Sequence, residues 1–149
     1  MSEFSFEYLK GILHTYSNLN MPNSTLSYNF EIVEDKIENE ILYLRQYFNL
    51  PIECKMSILD INESEFKKQI YDWFFLNGEL SKINLNETRR NYEVNNFYNV
   101  LNSINEITKI IQVEFDSTNE TYYELGIYYT YFFIHNKESK YLLYFRYDD

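Results

Sequence analysis

Tyr131-Phe132-Phe133-Ile134-His135-Asn136-Lys137-Glu138-Ser139-Lys140-Tyr141-Leu142-Leu143-Tyr144-Phe145 is the stretch that decides the fold. Two apolar, aromatic-rich runs flank the polar Asn136-Lys137-Glu138-Ser139, the pattern of two antiparallel strands joined by a short turn. The first run extends back to Tyr123 almost without a polar break. Upstream of it, Ile111, Val113 and Phe115 alternate with polar residues before a turn at Ser117-Thr118-Asn119-Glu120. The C-terminal third therefore reads as a three-stranded meander. Its last register depends on loop parity: an odd loop places Tyr131 and Phe133 on the face of Leu143 and Phe145, an even one pairs them with Tyr144 and Leu142. The apolar runs are too continuous for strands buried on one face alone.

Working toward the N-terminus, the period changes to that of helices. Thr88–Ile107 carries Phe97, Leu101 and Ile104 at helical spacing, and Leu80–Glu87 connects it to what precedes. A helix from Ser64 places Phe66, Ile70, Trp73 and Phe74 inward, with Asn77-Gly78 closing it through a left-handed cap. Ile52, Cys54, Met56 and Ile58 alternate as a short strand after Pro51. Glu34–Phe48 admits two readings. Ile37, Ile41, Leu44 and Phe48 fit a helix capped by Asp35, whereas Ile41 and Tyr43 also suit a continuing hairpin; the spacing of four, three and four favours the helix. Leu26, Tyr28, Phe30 and Ile32 alternate as a strand, and Phe4, Tyr8, Ile12, Tyr16 and Leu19, widened by Leu9 and Leu13, form a first helix. The expected fold is α+β, with three or four helices on a predominantly antiparallel sheet. The expected core includes Phe66, Ile70, Trp73, Leu101, Val113, Ile127 and Phe145.

Nothing in the 149 residues suggests a linker or repeat, so residues 1–149 read as one domain. Sixteen Tyr and 12 Phe accompany a formal net charge of -10. Such a field repels nucleic acid phosphates and anionic bilayers, so neither direct nucleic acid binding nor membrane association is expected, and a basic protein is the natural complement. Cys54 is the single cysteine, no internal disulfide can form, and the N-terminus lacks the pattern of a secretion signal; these features point to the cytoplasm.

Catalytic constellations are missing from the sequence. His14 and His135 sit on a helix and at a strand end, and nothing brings either toward Cys54, which reads as an inert core thiol. One Cys and two distant His cannot make a zinc site, and the isolated Gly11, Gly78 and Gly126 cannot make a phosphate loop. No cofactor or metal is expected. Glu114, Asp116 and Glu124 could meet across the first meander turn, which keeps open an enzyme using a carboxylate pair or a bound metal.

The residues singled out for binding are acidic and aromatic. Glu31, Glu34, Asp35, Glu38 and Glu40 form a segment that a helix would spread over one solvent face. Gln112, Glu114, Glu124, Tyr128 and Tyr144 are assigned to the meander face opposite the core. Carboxylates beside Tyr suit Lys and Arg through charge-assisted hydrogen bonds and cation–π contacts. The expectation is a monomeric or weakly dimeric inhibitor that occludes a basic partner, such as an immunity protein acting on a cognate cationic toxin domain, for example a nuclease. A subunit of a larger assembly is a further alternative.

Overall fold

The computed structural model describes residues 5–22, 26–116 and 123–148. Helices α1 (Phe6–Asn20), α2 (Glu40–Tyr47), α3 (Glu63–Tyr71) and α4 (Glu87–Ile104) accompany strands β1 (Ser27–Glu34), β2 (Met56–Ile61), β3 (Lys109–Phe115), β4 (Tyr128–His135) and β5 (Lys140–Asp148). All neighbouring strands are antiparallel, in the order β1-β5-β4-β3-β2, and β3-β4-β5 form the C-terminal meander of an α+β fold.

The turn between β4 and β5 has even parity. Tyr131 faces Tyr144 and Phe133 faces Leu142, while Phe132 pairs with Leu143. Both sheet faces are consequently apolar. On one, Phe30, Phe132, Leu143 and Phe145 pack with Leu9 and Leu13 of α1, Phe66 and Ile70 of α3, and Phe97 and Leu101 of α4. On the other, Ile111, Val113, Tyr131, Phe133, Leu142 and Tyr144 meet Ile37, Leu44, Leu50 and Cys54 from the α2 segment. That second cover explains why β4 and β5 read as nearly unbroken apolar runs.

Several expectations need correction. β1 continues to Glu34, so α2 starts later, capped by Asn39, whose Oδ1 accepts from Leu42 N–H at 2.9 Å; Asp35 instead accepts a hydrogen bond from the Tyr43 hydroxyl. The strand expected over residues 52–58 lies at Met56–Ile61. A turn in which Cys54 N–H donates to Pro51 O precedes it and leaves Ile52 81% exposed. Cys54 is nevertheless buried. Ile127 is 56% exposed, because Gly126, at φ +105°, turns the chain just before β4 begins. In α1 the fully buried apolar residues are Leu9 and Leu13, whereas Tyr8 and Leu19 are exposed; Phe4 lies outside the described residues.

After α3 the helix widens into a π turn, Asp72–Leu76, closed by Asn77 N–H to Asp72 O at 2.9 Å. The wider turn buries Trp73, Phe74 and Phe75 in succession, and Trp73 Nε1–H reaches Thr130 Oγ1 at 3.0 Å. Gly78 does not form the expected left-handed cap, since its φ is -148°. It is glycine because Asn20 passes against it: a Cβ there would lie 2.6 Å from Asn20 Cβ. The buried Asn20 amide donates to Tyr16 O and Phe74 O and accepts from Leu80 N–H, latching the end of α1 onto the π turn and the 3-10 turn Glu79–Lys82.

Candidate functional site

The structure disperses the expected binding residues among separate places. Glu31 lies on β1 opposite Tyr144, with both carboxylate oxygens 3.0 Å from His14 Nε2. Glu34 and Asp35 are exposed and line a cleft of about 340 Å³ with Phe6, Ser139, Lys140 and Tyr141. Glu38 is exposed, and its carbonyl accepts from Lys140 Nζ at 2.9 Å. Glu114 and Asp116 are also exposed, beside Lys55 and Ser57.

Glu40 departs most from expectation. Rather than facing solvent it is buried in the first turn of α2, 3.0 Å from Lys140 Nζ and 2.9 Å from His135 Nε2. Burial opposes its charge, but a backbone hydrogen bond and Lys140 outweigh it and hold the carboxyl below its usual range. Burial lowers the His135 pKa, against the pull of Glu40. The cluster ties α2 to the β4–β5 hairpin.

Tyr128 and Tyr144 do not share a face. Tyr128 stacks on Trp73, 5.0 Å between ring centres, on the side of α1, α3 and α4, and Gln112 lies on that side too, accepting from Gln69 Nε2 at 2.6 Å. Tyr144 is buried on the α2 side. The even register separates them, because it pairs Tyr144 with Tyr131 and Tyr128 with Tyr147.

Two of the expected residues meet in one cleft. Glu124 and Tyr144 line a cavity of about 520 Å³ with Asn29, Tyr47, Phe48, Asn49 and Arg146. Its wall is set by the end of α2. Leu50 N–H returns to Arg45 O at 2.8 Å and Asn49 N–H to Gln46 O at 3.3 Å, with Asn49 at φ +52°, which is the paired bonding of a left-handed helix stop. The stop brings Phe48 edge-on to Tyr144, at 5.4 Å, and edge-on to Tyr131, at 5.2 Å. Arg146 lies over the Phe48 ring, binds Asp148 through Nε at 3.1 Å and donates through Nη1 to Glu124 O at 2.6 Å. Burial opposes its charge, but Asp148 more than compensates and raises the guanidinium pKa. The positive charge is therefore committed within the chain, while the Glu124 carboxylate makes no ion pair among the described residues. Burial, then Tyr47 and Glu31, push the Tyr144 hydroxyl pKa up, so it remains a neutral hydrogen-bonding group.

A larger apolar groove of about 740 Å³ runs between α1 and α4, lined by Tyr8, Ile12, Tyr16, Leu19, Leu85 and Phe97 among others. Gly11 helps open it: a Cβ there would meet nothing within 4 Å. Burial, then Glu93, raise the Tyr16 hydroxyl pKa to about 12, with Arg89 opposing. Sequence reasoning read the Tyr8-Ile12-Tyr16-Leu19 stripe as part of a helix and named no groove beside it. A helical glycine within that stripe was the available signal.

Among the described residues no three His, Cys, Asp or Glu side chains gather as a metal-ligand set, and Glu114 and Glu124 line different clefts. No helix there is long and apolar enough to cross a membrane. No protein-family model matches the sequence, and no curated protein resembles it.

Proposed function

We propose that the protein is a non-enzymatic inhibitor that binds a basic protein partner, as an immunity protein neutralising a cationic toxin domain such as a nuclease by covering its active site. The observation that carries this reading is the cleft formed by Tyr47, Phe48, Tyr144 and Glu124, with Glu31 opposite Tyr144. Rings and a carboxylate with no ion-pair partner among the described residues suit a Lys or Arg side chain, which gains both a charge-assisted hydrogen bond and ring contact. The net charge of -10 favours a positively charged partner during approach, and the fixed end of α2 limits the ordering cost of binding. Blocking access to an active site requires no chemistry from the inhibitor.

The test is protection against the product of the gene adjacent to its own, followed by binding kinetics at two ionic strengths. Glu124→Gln and Glu31→Gln should slow association, and Tyr47→Ala should mainly speed dissociation. Absence of protection, or association indifferent to salt and to both carboxylate changes, would refute the reading.

A further inference from the structure

Among the described residues strand β2 is bonded on one side only, to β3. Asp116 N–H donates to Lys55 O at 3.0 Å, and extending the Met56↔Phe115 register makes these residues direct partners. Bonded pairs alternate along an antiparallel ladder, so Lys55, Ser57, Leu59 and Ile61 turn their backbone groups toward β3. Met56, Ile58 and Asp60 turn theirs toward the open edge. The adjacent Ile58 and Leu59 lie on opposite faces there, 46% and 44% exposed. Sheet edges are ordinarily blunted by charge, proline, a bulge or a covering element. On β2 the one charged residue is Asp60, and Lys109 pairs with it at 3.4 Å.

We propose that a second copy of the chain adds at this edge, β2 pairing antiparallel with its counterpart about a two-fold axis normal to the sheet and passing midway between the two Leu59 residues. Such an axis keeps each sheet face on its own side, so paired residues have equal parity and the centre falls on a residue. Centred on Leu59, the register sets Leu59 against Leu59 and, at both ends, Lys55 against Glu63. Among the described residues Lys55 makes no ion pair, and Glu63, which pairs with Lys67 at 2.8 Å, shares the first turn of α3 with Glu65. A centre at Ile58 would set Lys55 against Ile61 and lose this match. The complementarity is thus between the residues that precede and follow β2, and antiparallel self-pairing uses it twice. The resulting sheet is continuous across both copies, and the assembly does not rest on the inhibitor reading.

Sedimentation equilibrium of the full chain over a concentration series should show reversible formation of a species of twice the chain mass. Ile58→Pro removes an outward N–H and leaves the β3 ladder bonds in place, so it should abolish the dimer while the circular dichroism spectrum is unchanged. Lys55→Glu should raise the dimer dissociation constant about tenfold, since the change is counted at both symmetric ends, and adding Glu63→Lys should recover it. If Ile58→Pro prevents folding, the charge reversal and its recovery decide alone. A wild-type chain monomeric throughout the series, a dimer indifferent to a folded Ile58→Pro variant, or a charge reversal without recovery would overturn the proposal.

Discussion

The two edges of the sheet are built differently. β1 alternates buried Tyr28, Phe30 and Ile32 with Asn29 and Glu31, ends on exposed Glu34, and lies against α1. His14 reaches Glu31 across that contact, and the chain after β1 is pinned by buried Ile37 and by Glu40 with His135 and Lys140. β2 passes directly through Asn62 into α3 and leaves apolar side chains exposed on both faces. One edge is finished by its own chain, through charge and cover. The other has the exposed backbone and apolar surface of an interface half.

The largest effect separating the edges should be on stability. Phe30→Ala removes a fully buried ring that meets Trp73, Phe74 and Phe145, and should cost about 3–5 kcal/mol in urea unfolding. Leu59→Ala at the exposed edge should cost under about 1 kcal/mol when both proteins are monomeric. Comparable losses would show that β2 is as well packed as β1.

A second contrast appears on acidification, because the pins that follow β1 titrate. A histidine whose folded pKa is lowered takes up its proton more readily when unfolded, so the His135 contribution is lost as pH falls through about 6.5. Glu40, held low in the folded state, adds a second loss as pH falls below its ordinary 4.5. Urea midpoints across pH should descend in these two stages, and His135→Gln should flatten the first. A profile that rises on acidification between pH 7 and 5.5 would contradict this arrangement.

A smaller and opposite change is expected in α1, the helix that covers β1. Gly11→Ala should stabilise the fold by about 0.5–1 kcal/mol, since alanine has the better helix propensity and its methyl meets no atom. A destabilised variant would reveal packing at the groove that the open space does not show. Smallest is His14→Ala, which loses only an exposed contact to Glu31 and should cost about 0.2–1 kcal/mol. Thermal unfolding at neutral pH will resolve it, and a larger loss would make His14 a principal guard of the β1 edge.

Much of the architecture was legible because burial imposes a period on the sequence. Tyr28, Phe30 and Ile32 showed a one-sided strand, and the dense apolar runs of β4 and β5 showed cover on both faces. The misreadings arose where tertiary contacts decide. Ile37 continues the helical spacing of Ile41 and Leu44 yet is buried from a loop; Cys54 alternates with Met56 in sequence but occupies a turn. The candidate site was less legible because it depends on register and on helix ends. Tyr128 and Tyr144 exchange faces with a one-residue shift in loop parity, and nothing in the acidic segment marks Glu40, rather than Glu38, as the carboxylate that meets His135. The cleft at the end of α2 depends on the left-handed Asn49, whose N–H bonds Gln46 O while Leu50 N–H bonds Arg45 O.

The contact between Asn20 and Gly78 constrains two distant positions at once. Any side chain at residue 78 collides with Asn20, while a smaller residue at 20 abandons Phe74 O and Leu80 N–H inside the protein. Each change is harmful for a different reason, and shortening residue 20 does not make room at 78, because a Cβ there would also lie 2.7 Å from the backbone oxygen of residue 20. Neither change relieves the other, so lineages descended from this sequence should keep glycine at 78 whatever stands at 20.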